Sequence, residues 1–171
     1  MSGVEMADFS TPLCLVRQLR HLPATFITMK KVLFICTHTA ARSQIAEGIV
    51  IAHQDNHYET YSAGTHPAGV YPCAIAVMKE IDIDITKHRA KSLDEFREKE
   101  FDYAITLCDN SQEACPFFPQ ARSYLHKSFS DPAHHQGTAE EKLLAFRQVR
   151  DEIATWIHHA FKPTGIESDE R

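Results

Sequence analysis

The apolar positions of this chain change period repeatedly, and the changes mark out alternating strands and helices. Val32-Leu33-Phe34-Ile35 is a continuous apolar run, the pattern of a strand buried on both faces. Ile45, Ile49 and Ala52 then recur at helical spacing and lay an apolar stripe on a helix beginning near Arg42. Residues 57–63 read as a second strand, closed by Gly64 and Pro67, and Val70, Ala74, Val77, Met78 and Ile81 form the inward face of a helix over 70–81. A shorter helical piece falls at 92–97. Phe101 to Cys108 predicts a third strand, in which Tyr103, Ile105 and Leu107 alternate against Ala104 and Thr106, and a weaker strand falls at 123–126. Thr138 and Glu141 form a capping-box signature, after which Leu143, Phe146, Val149, Ile153, Trp156 and Ala160 mark a long final helix. Strands alternating with helices predict an α/β fold with a parallel sheet, helices on both faces, and ligands bound beyond the carboxyl ends of the strands. Cys36 and Cys108 both fall at such ends.

At 171 residues the chain suits one domain, read here as residues 29–162. Residues 1–28 lack the charged start and continuous apolar core of a signal peptide and read as an N-terminal extension, with Met29, just before Lys30-Lys31, in the position of a true start. Residues 163–171 read as a polar, mobile tail. A net charge of -5 without a basic run argues against nucleic acid, and no apolar stretch reaches membrane-spanning length. Five cysteines, an odd count without the spacing of a disulfide framework, point to redox-active thiols in a reducing compartment, the cytoplasm. The 11 histidines include the pairs His134-His135 and His158-His159, but adjacent residues do not share a helix face and no zinc-binding spacing occurs, so no metal site is predicted.

The chemistry concentrates after the first strand. Cys36-Thr37-His38-Thr39-Ala40-Ala41-Arg42-Ser43 carries the chain from an apolar strand through small or polar residues into an amphipathic helix. The amides of a tight loop at a helix N-terminus converge and carry positive partial charge, favouring a tetrahedral oxyanion and a thiolate together. Arg42 adds a planar fork of donors suited to that anion.

A second constellation lies further on. Cys108 and Cys115 are seven residues apart, about 10.5 Å on an unbroken helix, whereas a disulfide needs Cα atoms roughly 4.4 to 6.8 Å apart. The polar stretch between them, with Pro116 beyond, must bend or unwind for the pair to oxidise. Asp131-Pro132 offers a carboxyl on a rigid turn above the strand ends, placed to act as a general acid on a leaving oxygen.

Taken together, Cys36 to Ser43 after the first strand, Ser62-Ala63-Gly64 after the second, the Cys108 and Cys115 pair and the Asp131-Pro132 turn resemble the thioredoxin-coupled arsenate reductases, which share the low-molecular-weight protein tyrosine phosphatase fold. The resemblance covers nearly all of residues 31–160. It implies a four-stranded parallel sheet in the order 2-1-3-4 with the oxyanion loop after the first strand. It also implies roles. Cys36 is the nucleophile; Thr37, His38, Thr39, Ala40, Ala41 and Arg42 form the clamp; Ser43 supports the thiolate; Asp131 protonates the departing oxygen. Cys36, Cys108 and Cys115 then form a disulfide relay emptied by thioredoxin, with no tightly bound cofactor and a monomeric enzyme.

Two departures from the family pattern stand out. His38 and Thr39 occupy positions that commonly hold Gly and Asn, and a left-handed backbone at a β-branched Thr39 costs roughly 1 to 2 kcal/mol. Ala41 replaces a second loop cysteine found in many relatives. The alternative reading is a phosphatase working through a phosphocysteine, which needs only Cys36, Arg42 and Asp131. Such an enzyme calls for aromatic side chains at its entrance, and near the Asp131 turn the sequence offers only Phe129. A third reading is a non-catalytic anion-binding or redox-sensing protein.

Overall fold

The computed structural model describes residues 29–109 and 117–167. The expectations for residues 1–28 and for Cys115 lie outside the described residues. Strand β1 (Lys30–Cys36) leads into helix α1 (Arg42–Gln54), β2 (Tyr58–Gly64) and α2 (Pro72–Lys79). After a 3-10 turn at Leu93–Phe96 come β3 (Phe101–Thr106), β4 (Ala121–His126), a second 3-10 turn at Pro132–His134, and α3 (Ala139–Ala160). The strands form one parallel sheet in the order β2-β1-β3-β4.

The unbroken apolar run of β1 follows from its central place, since alternate side chains enter different cores. Val32 and Phe34 join Ile45 and Ile49 of α1, Ala74, Val77 and Met78 of α2, and Phe146, Val149 and Ile153 of α3. Leu33 and Ile35 turn to the other face, closed by Phe96 of the first 3-10 turn together with Phe101 and Phe118. The helical cover is therefore unequal, with α1, α2 and α3 sharing one core. Helix α2 is shorter than its apolar spacing suggests: Pro72 starts it, and Ile81 is 38% exposed. The capping box at Thr138 and Glu141 forms as read from the sequence.

The chain beyond α3 departs from the sequence reading. Instead of a tail from residue 163, a two-stranded hairpin forms, β5 (Phe161–Lys162) with β6 (Gly165–Ile166). Buried Phe161 anchors it against Phe34 and Trp156, and the Tyr58 hydroxyl donates to the Lys162 carbonyl at 2.5 Å. Burial pushes the Tyr58 phenol up to about 12, so it stays a donor.

Candidate active site

The segment between β1 and α1 is shaped by where its carbonyls go. Thr37 O accepts from His66 N at 2.9 Å, His38 O from Ala68 N at 3.1 Å and Ala40 O from Tyr71 N at 2.8 Å. Ala41 O accepts from Ile45 N at 2.9 Å in the first turn of α1, and Thr39 O from Gln44 Nε2 at 3.1 Å. All five carbonyls thus point outward, to the strap at residues 66–71 or to α1. In a trans peptide the N–H is antiparallel to the preceding C=O, so the amides of residues 38–42 turn inward. The cradle is built from geometry that costs the loop no unpaired acceptor.

Cys36 Sγ lies at its centre. Thr39 N donates to it at 3.1 Å, and the Ser43 hydroxyl lies 3.0 Å away. The thiol is 2% exposed and lines a cavity of about 380 Å³ together with His38, Arg42, Tyr71, Asp131 and His134. Arg42, in the first turn of α1, is pinned from three sides. Nη1 donates to Leu107 O at 3.2 Å and Phe129 O at 3.1 Å, and Nη2 meets Asp131 Oδ2 at 2.8 Å. Asp131 Oδ1 accepts from Ala133 N at 2.9 Å, so the carboxylate is oriented at both oxygens. Cys36, Arg42 and Ser43 of one segment and Asp131 of another share this one site.

Gly64 ends β2 against the loop. A Cβ there would lie 2.2 Å from Thr39 Oγ1, 2.6 Å from Cys36 O and 2.7 Å from Thr37 O, distances no side chain tolerates. Phe129, the one aromatic noted near the Asp131 turn, is not at the mouth. It is 5% exposed and packs edge-on against Trp156. Tyr71 of the strap is the aromatic residue of the cavity wall.

Cys108 is fully buried two residues beyond β3 and does not line the cavity. Ile35 pairs with Thr106, and Leu107 N donates to Ile35 O at 2.9 Å, so the ladder runs on to set Leu107 opposite Cys36. If the ladder continued with strands roughly 4.8 Å apart and a rise of about 3.3 Å per residue, the Cα of Cys108 would fall about 6 Å from that of Cys36, within disulfide reach. Continued pleating sends the two side chains to opposite faces, so the backbone after Thr106 must turn before the sulfurs bond. Among the described residues no three His, Cys, Asp or Glu side chains are grouped to hold a metal ion, and no helix is long and apolar enough to cross a membrane.

Behind the loop lies a polar layer that sequence reasoning missed. Gln44, fully buried, donates to Thr39 O and to Arg89 O at 3.1 Å each, and its Oε1 meets His88 Nδ1 at 3.1 Å. One turn on, Glu47 receives Lys91 Nζ at 2.9 and 3.2 Å and the Ser62 hydroxyl. His88 Nδ1 is 3.9 Å from the same carboxylate, yet burial holds its imidazole below the usual histidine range. The available signal was three polar residues, Ser43, Gln44 and Glu47, on the stretch of α1 nearest the thiol.

The profile of the low molecular weight phosphotyrosine protein phosphatase family matches residues 31–165, nearly the whole described chain. The chain belongs to that family. Among relatives of this family member, the arsenate reductase of Halalkalibacterium halodurans is 40% identical over 136 residues, 80% of this chain and 97% of the relative. A solved structure described as an arsenate reductase in the phosphate binding state superposes with a TM-score of 0.66 at 28% identity, covering 77% of this chain and 95% of that one. A thioredoxin-dependent arsenate reductase of Corynebacterium glutamicum gives 0.53 at 26% identity, covering 78% of this chain and 64% of that one. In this family member Thr39 holds φ +52, in the left-handed region, and its buried hydroxyl has no hydrogen-bond partner. Its strain, roughly 1 to 2 kcal/mol, is carried by the surrounding bonds.

Proposed function

We propose that this chain reduces arsenate to arsenite through a relay of Cys36, Cys108 and Cys115 that thioredoxin empties. The observation that carries the proposal is Cys36 Sγ at the floor of an amide cradle, with a second buried thiol at the neighbouring strand end. That the chain is an arsenate reductase rests on close relatives of that name over most of its length; the order of the sulfurs is our reading.

In the first step the Cys36 thiolate attacks As(V) of the bound oxyanion. A sulfur–arsenic bond forms, and one oxygen leaves as water after protonation. The incoming anion draws Arg42 Nη2 from Asp131 Oδ2, and Asp131, once protonated, delivers that proton. The Ser43 hydroxyl and Thr39 N both address the attacking sulfur and fix its position in the cradle. The Cys108 thiolate then attacks Cys36 Sγ. The sulfur–arsenic bond breaks with its electron pair passing to arsenic, which leaves as arsenite, and a Cys36–Cys108 disulfide remains. Two electrons have moved from two sulfurs to one arsenic. Cys115 attacks Cys108, frees Cys36, and gives a disulfide that the dithiol of thioredoxin reduces. The catalytic unit is the single domain from about residue 29 through the hairpin that ends at Ile166, acting as a cytoplasmic monomer with no bound cofactor.

The second reading, phosphate-monoester hydrolysis through a phosphocysteine, uses the same cradle and is favoured by Tyr71 on the cavity wall. The test runs both activities on one sample: arsenate-dependent NADPH consumption with thioredoxin and its reductase, and aryl phosphate hydrolysis. Cys108→Ser abolishes the first and spares slow hydrolysis in the second. Unchanged arsenate turnover in both Cys108→Ser and Cys115→Ser would rule out the relay.

A further inference from the structure

We infer that Gln44 is a positioning residue: its carboxamide holds Thr39 in the left-handed conformation that completes the oxyanion cradle. Among the described residues, Thr39 is the one loop residue whose carbonyl is met by a side chain alone and by no backbone amide. It is also the strained one, with φ +52, and its own hydroxyl makes no bond that would hold it. A conformation of this kind persists only where its surroundings impose it, and Gln44 is the group placed to do so.

The geometry gives the clamp two effects. The Thr39 carbonyl and the Ala40 N–H share one peptide plane and point in opposite directions. Drawing the carbonyl toward Gln44 therefore turns the Ala40 amide into the cradle. The same bond limits rotation about ψ of Thr39, whose own N–H donates to Cys36 Sγ at 3.1 Å. Gln44 is suited to this because it is itself immobile. Both Nε2 hydrogens are used, on Thr39 O and Arg89 O, and Oε1 meets His88 Nδ1. Only one orientation of the amide satisfies two carbonyls on one side and an imidazole on the other, with the ring nitrogen donating. The side chain comes from the first turn of α1, the turn that supplies Arg42 and Ser43, so nucleophile support, guanidinium and clamp are fixed to one rigid element.

The inference rests on the Cys36 cradle being the oxyanion site, and its test needs neither arsenate nor the other thiols. Gln44→Met keeps length and apolar bulk while removing both donors; Gln44→Glu keeps the outline and the oxygen facing His88 but cannot donate to Thr39. Alkylation of Cys36 by iodoacetamide is followed by peptide mass spectrometry across pH, with and without inorganic phosphate, beside a circular-dichroism melt. With one hydrogen bond removed from the cradle's support, phosphate protection weakens about tenfold in both variants. Thr39→Gly supplies the control a packing defect would not answer to, because glycine adopts positive φ without strain. In that background Gln44→Met costs less than about a third of its effect on the parent chain. Native phosphate protection in either folded Gln44 variant, or an equal loss with Thr39 and with Gly at that position, would overturn the assignment.

Discussion

Replacing Lys91 with Met removes the positive partner of a carboxylate that is largely shut off from water. The Glu47 side chain is 7% exposed and that of Lys91 13%, with contacts of 2.9 and 3.2 Å from one ammonium to both carboxylate oxygens. Breaking such a pair by removing one member costs about 3 to 5 kcal/mol, because the remaining charge stays buried. The Ser62 hydroxyl still donates to Glu47, and Lys91 is not wholly desolvated, so the lower end applies, about 3 kcal/mol. For a folded unit of this size that is a fall in Tm of roughly 10 °C. Urea unfolding at neutral pH measures it, and the double variant Lys91→Met with Glu47→Gln recovers most of the loss by removing the stranded charge. The imidazole of His88 reports on the same substitution: burial is the main cause of its depressed pKa, Glu47 raises it, and Lys91 lowers it further. Without Lys91, His88 titrates at higher pH, visible as a shift of its ring resonances. A stability loss below about 1 kcal/mol, the range of exposed pairs, with an unmoved His88 titration, would refute a buried ion pair beneath the loop.

Other consequences concern the loop and acid pH. Gly64→Ala drives a Cβ into Thr39 Oγ1 and two loop carbonyls, so phosphate binding, measured by calorimetry, falls by about a hundredfold or more while far-ultraviolet circular dichroism stays native. His88 has a folded-state pKa below its ordinary value of 6.5, so below about pH 6.5 the unfolded chain takes up a proton that the native chain resists. The contribution is full above that pH and is lost as pH falls through the folded value. Denaturation series from pH 7.5 to 5 should show a loss that His88→Gln diminishes.

The parts of the site legible in the sequence are those whose physics is local. A four-residue apolar run that needs burial on both faces, followed by small residues and an arginine, places the thiol, the loop and Arg42 without tertiary information. The cost foreseen for a left-handed Thr39 follows from the β-branched side chain alone, and φ +52 meets that condition. The sheet order came from the resemblance to a known family, not from periodicity. What was hidden depends on distant segments meeting. Residues 87–91 carry no apolar periodicity to place them, yet they fold over α1 to pair Lys91 with Glu47 and to set His88 and the Arg89 carbonyl on Gln44. The strap at 66–71 falls where the sequence offers only Pro67 closing a strand and Val70 opening a helix, and its work is backbone hydrogen bonding, which no side-chain pattern reveals. The hairpin after α3 was missed because its anchor is one residue, Phe161, packed on rings from β1 and α3.

The relay is tested most directly by trapping its middle. In Cys115→Ser, a single turnover with arsenate under reducing-agent-free conditions is quenched by acid and the disulfides are mapped by mass spectrometry. The account predicts one equivalent of arsenite and a Cys36–Cys108 disulfide that forms only when arsenate is present. Arsenite released with Cys108 still a free thiol would contradict it.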